Sequence, residues 1–91
     1  MHTFRILKAP HGSRLLGEDI HTASHLDYPL EPTDLHDLIL AAFKSPNDQP
    51  RAELNGVIAD RTKEGVRVRV VANNSWTDIP WPSIARGIHL K

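Results

Sequence analysis

Val57-Ile58-Ala59-Asp60-Arg61, Thr62-Lys63-Glu64 and Gly65-Val66-Arg67-Val68-Arg69-Val70-Val71 follow one another in the last third of the chain, and their reading decides the fold. The third segment alternates apolar and basic residues, the period-two pattern of a half-buried strand. The first is short and rich in β-branched residues. Gly65 closes the intervening turn, where a residue tolerant of positive φ is favoured. Two registers compete. A four-residue loop sets Arg61 opposite Val66 and Asp60 opposite Arg67, so opposite charges face each other. A three-residue loop with Gly65 in a bulge sets Asp60 opposite Val68, placing a carboxylate on the valine face. Opposite charges across strands stabilise by a few tenths to about 1 kcal/mol, and a one-residue slip inverts every side chain. The four-residue loop is therefore expected. Val57, Ala59, Val66, Val68 and Val70 then form the core face, with Asp60, Arg67 and Arg69 on the outer one.

Working outward, Asn73-Asn74-Ser75 has turn composition, and Trp76-Thr77-Asp78-Ile79 reads as a third strand. Pro80-Trp81-Pro82-Ser83 reads as a rigid corner without regular pairing, because its prolines lack donors. Ile84 to Leu90 is expected to return as a last short strand of the same sheet.

Gly56 early in a strand, a distal hairpin and a closing Ile79-Pro80…Ile84…Leu90 pattern resemble the SH3-like and Sm-like small barrels. The likeness extends to the C-terminal barrel of the bacterial ribosome maturation factor family and covers residues 51–90. The resemblance implies a small barrel and an RNA- or ribosome-associated role. It involves no catalytic or ligand motif, so it speaks more to fold than to function.

In the N-terminal part, Thr3 to Lys8 reads as a strand with Phe4 and Ile6 on one face. Pro10-His11-Gly12-Ser13 is a turn cluster, and Arg14-Leu15-Leu16 returns as a second strand. Leu26, Tyr28 and Leu30 are apolar positions in an extended stretch, where Pro29 and Pro32 argue against a central strand. Asp34 to Lys44 is the expected helix. Leu35, Leu38, Ile39, Ala42 and Phe43 make one apolar stripe, Thr33 is the expected N-cap, and Pro46 stops the helix. The valine face of the sheet is the natural partner for that stripe. The fold class is α+β: a small curved antiparallel sheet or partial barrel with one amphipathic helix packed on it. One domain is expected over residues 1–91, with an N-terminal hairpin and extended segment (1–32), a helix (33–45) and a C-terminal antiparallel sheet (51–91).

The 91 residues carry 11 Lys and Arg against 11 Asp and Glu, so broad attraction to nucleic acid has no support from net charge. With no cysteine there is neither a disulfide framework nor a zinc–thiolate site. No run approaches the length of a membrane span, and no signal-peptide core follows Met1, so a cytoplasmic protein is expected, and the resemblance implies a bacterial one. A chain of this size buries only about 60–65% of its unfolded surface, and a homodimer interface would add core.

Candidate chemistry is sparse. His21 and His25 stand four apart in His-Thr-Ala-Ser-His, a spacing that on a helix presents both rings to one metal, with His11, Asp19 or Asp27 as third ligand. A zincin motif would have glutamate where Thr22 stands, and surface histidines are the simpler reading. The serines lack a nucleophile-elbow context and no Gly-rich phosphate loop follows a strand, so no enzyme activity and no cofactor are expected. Arg67 and Arg69 on the outer face, with Trp76 and Trp81 nearby, have the composition of an interface hot spot. The expected role is a non-enzymatic binding module whose partner is a protein or a second copy of the chain. Single-stranded nucleic acid stacked on the tryptophans is the alternative, and a small metalloprotein using His21 and His25 a further one.

Overall fold

A computed structural model describes residues 4–17, 23–72 and 74–90. The elements are β1 (Phe4–Ala9), β2 (Gly12–Gly17), β3 (Ala23–Tyr28), α1 (Pro32–Phe43), β4 (Arg51–Leu54), β5 (Val57–Arg61), β6 (Gly65–Val70), β7 (Ser75–Pro80), α2 (Trp81–Arg86) and β8 (His89–Leu90). They form two four-stranded sheets, ordered β3-β2-β1-β8 and β4-β5-β6-β7, which do not close into a barrel. All pairings are antiparallel except that of β8, which runs parallel to β1. The architecture is α+β, with α1 packed on the sheets.

The β5–β6 hairpin adopts the register that its charges favour: Arg61 faces Val66 and Asp60 faces Arg67. Val57, Ala59, Val66, Val68 and Val70 are all buried. Gly65 opens β6 where the backbones crowd, since a Cβ there would lie 1.8 Å from the carbonyl oxygen of Ile79. The N-terminal hairpin also forms as read, with Phe4 and Ile6 buried on one face of β1. It builds its own sheet, in which β3 is an edge strand and so accommodates the neighbouring Pro29.

Four local expectations change. Gly56 lies in a turn, not in a strand: Asn55 (φ 49°) and Gly56 (φ 80°) make a two-residue hairpin loop between β4 and β5. Both central residues need positive φ in a type I′ turn, and Asn-Gly supplies them. The helix starts at Pro32, whose fixed φ and missing N–H suit a first position, so Thr33 lies inside it. Glu31 is the N-cap residue and makes no side-chain cap; its carboxylate instead accepts from Lys8 Nζ at 2.6 Å. Pro80 pairs with Gly65 at the end of β7, and the Trp81–Pro82 corner is the short helix α2. Finally, the C-terminal segment leaves its own sheet. Ile88 inserts into the core, and β8 lies beside β1 with Arg5 opposite His89 and Ile6 opposite Leu90.

The helix stripe of Leu35, Leu38, Ile39 and Ala42 is buried in one core with Phe4, Ile6 and Leu15 from the first sheet and the valines and Ile79 from the second. Tyr28, at the end of β3, spans to the second sheet. It has no exposed surface, and its hydroxyl donates to the Val68 carbonyl at 3.1 Å. Burial pushes its pKa up to about 12, against a lowering by a hydrogen bond with Thr77 and a further raising by the Asp78 charge. The Asn55 side chain makes a second tie, donating to the Pro29 carbonyl at 2.8 Å. No described helix is long and apolar enough to cross a membrane.

Candidate interaction surface

The helix and first sheet cover the inner face of the second sheet and leave its outer face open. The register orders that face into two rows across the four strands. One row is Arg51–Asp60–Arg67–Asp78, from β4 to β7; the other is Glu53–Ile58–Arg69–Trp76. Charges alternate along the first row, and its members bind one another. Arg51 Nε donates to Asp60 Oδ1 at 2.6 Å. Arg67 donates through Nε (2.8 Å) and Nη2 (3.2 Å) to the two oxygens of Asp78, the fork geometry of a guanidinium on a carboxylate. That hydrogen bonding, with the Asp78 charge, holds the Arg67 guanidinium above its usual pKa. Arg69 links the rows, its Nη2 standing 3.9 Å from Asp60 Oδ2.

Trp76 is 49% exposed, and the Arg67 guanidinium carbon lies 4.9 Å from its ring centroid, a cation–π contact. Ile58, although on the outer face, is only 9% exposed, flanked across the strands by Glu53 and Arg69. The structure thus brings Arg67, Arg69 and Trp76 together. Beside them, Gly65, Pro80, Arg67 and Asp78 border a cleft of about 300 Å³ that runs to the β5–β6 loop.

Trp81 is not part of this group. Its indole Nε1 donates to the Lys63 carbonyl at 2.9 Å, and its backbone N–H donates to the Glu64 carbonyl at 2.9 Å. Its ring meets Phe43 edge-on, with centroids 5.4 Å apart and planes at 61°. Trp81 therefore fastens the corner to the hairpin loop and caps the end of the helix stripe. These contacts set Trp81 apart from Arg67, Arg69 and Trp76, with which the sequence reading groups it as a binding residue.

His21 and the side chain of His25 lie outside the described residues, and the metal expectation with them. Among the described residues no group of three or more His, Asp or Glu could hold a metal ion. Carboxylates that stood alone in the sequence answer cations instead: Asp27 accepts from Arg14 Nε at 2.8 Å and Glu31 from Lys8. Sequence reasoning missed Arg51, Ile58 and Asp78 as members of the face. Carrying the hairpin register one strand further, across the Asn-rich turn, would have put Asp78 opposite Arg67.

No protein-family model matches the chain, and no curated protein or solved structure matches it significantly.

Proposed function

We propose that this domain is a non-enzymatic protein-interaction module whose working surface is the outer face of the β4–β7 sheet. The observation that carries the reading is Trp76, half exposed and resting on an arginine whose charge is already answered. Buried aromatic and arginine anchors dominate protein interfaces, and a tryptophan held on a rigid strand loses little freedom on binding. The face's charge argues in the same direction. Arg51, Arg67 and Arg69 are matched by Glu53, Asp60 and Asp78, so the two rows sum to zero. Nucleic-acid affinity comes largely from cations free to replace the counterions of phosphate. A guanidinium held by two hydrogen bonds to Asp78 is poorly suited to that task.

The test places a photo-crosslinking aromatic residue at position 76, and separately at position 81, in cells expressing the full chain. Position 76 is expected to give discrete protein adducts and position 81 none. Adducts to RNA at position 76, or no adducts there, would overturn the reading.

A further inference from the structure

We infer that the outer face of the β4–β7 sheet docks on the same face of a second copy of this chain, through a two-fold axis parallel to the strands and between β5 and β6. The inference rests on the interaction reading above and names its partner. An isologous interface must be complementary to itself under its two-fold rotation. A rotation about this axis exchanges β4 with β7 and β5 with β6, and so reverses each row. The row Arg51–Asp60–Arg67–Asp78 alternates in sign and has an even number of members. Reversed, it lays an anion on every cation: Arg51 faces Asp78 of the second copy, and Asp60 faces its Arg67.

Other placements fail on the same charges. An axis along the row lays arginine on arginine, and so does sliding the reversed row by one strand; like charges brought together in this way are strongly disfavoured. The second row tolerates the reversal. Ile58 meets the stem of Arg69, and Trp76 meets Glu53, whose carboxylate can accept from the indole N–H. Sheets stack face to face with strands nearly aligned, which this axis produces.

Area sets the strength. Four strands of four to six residues, about 4.8 Å apart, present roughly 330 Å² in projection. Standard interfaces bury about 800 Å² per partner. The dimer is therefore weak and concentration-dependent, with its register fixed by charge.

Sedimentation velocity on the full chain, from about 10 μM to about 1 mM, is the test. A reversible dimer that dissociates as salt rises is expected. Asp60→Arg and Arg67→Asp should each weaken it at least ~10-fold, because each lays like charges across the axis. Mixed in equal amounts, the two variants should restore it, since each then meets its complement. Should either reversal fail to fold by circular dichroism, the chain's lack of cysteine allows a milder version. Ile58→Cys and Arg69→Cys chains, mixed and oxidised, should form the mixed disulfide in excess over the statistical share. A statistical distribution, a dimer indifferent to the reversals, or a monomer at 1 mM would overturn the inference. If position 76 still crosslinks to other proteins, only the self-docking fails; if it gives no adducts either, the interaction reading fails with it.

Discussion

The two faces of the β4–β7 sheet are cut from the same strands and differ in what lies against them. On β7, Ile79 is fully buried beneath the helix and first sheet, while Trp76, three residues away on the other face, is half exposed. On β6, Val66, Val68 and Val70 are buried and the intervening Arg67 and Arg69 look outward. The lesson is that alternation assigns the faces but not their tasks. The inner face holds the domain together. The outer face has organised its charges into pairs and kept one large aromatic ring in solvent.

Substitutions on β7 break this comparison most strongly. Ile79→Ala removes a side chain from the closed core and should cost about 2–5 kcal/mol. For a domain of this size that lowers Tm by roughly 10–20 °C or more. Trp76→Ala deletes a larger side chain from the same strand, yet should change monomer stability by only about 0.5 kcal/mol. Thermal melts followed by circular dichroism at low protein concentration decide it. Equal losses from the two variants would mean that the outer face is structural too.

The face assignment was legible in the sequence because two independent signals agreed. Valines fell at period two, and one hairpin register alone paired Asp60 with Arg67. The helix was legible from its stripe. Other features left weaker traces. β4 has three exposed residues out of four, so no apolar period marks it, and only Asn55-Gly56 announces its hairpin. β8 is two residues long and pairs with β1 from the opposite end of the chain, a contact for which no local pattern exists. The outer face was half legible: Arg67 and Arg69 follow from alternation on β6, whereas Arg51, Trp76 and Asp78 need the registers of β4 and β7. The fates of the two tryptophans were not legible, because the Lys63 carbonyl and Phe43 reach Trp81 only through the tertiary fold.

Tyr28 sharpens the comparison from the buried side. It is an acid whose neutral form is favoured by burial, so its pKa moves from 10.0 to about 12 in the folded state. Between those values the unfolded chain gives up the proton and the folded chain keeps it. Stability from this group is thus fully present below pH 10 and is lost as pH rises through 12, on the order of 2–3 kcal/mol in all. The informative quantity is the difference from Tyr28→Phe, which leaves every other ionisable group in place. Denaturant melts at pH 9 and at pH 11.5 (values chosen, roughly, to bracket the window) should show wild type losing more stability than the variant. At pH 7 the variant should be weaker by only about 1 kcal/mol, the worth of the hydrogen bond to Val68.

The smallest effects come from the most closely matched pair, Trp81→Phe and Trp76→Phe. Phenylalanine at position 81 keeps an aromatic ring against Phe43 but cannot donate to the Lys63 carbonyl. It should cost about 1 kcal/mol, some 4–8 °C in Tm. Phenylalanine at position 76 keeps a ring face for the Arg67 guanidinium and should leave the monomer's Tm nearly unchanged. Each variant also leaves one tryptophan as the sole indole fluorophore. Trp76, alone in Trp81→Phe, should emit further to the red and be quenched readily by iodide. Trp81, alone in Trp76→Phe, should emit further to the blue and be protected. With rising protein concentration at low salt, the Trp76 emission alone should move toward the blue as a second copy covers it. Were Trp81 to respond instead, the docking surface would have to include the corner and the hairpin loop, and the division between a working face and a structural one would move across the end of β7.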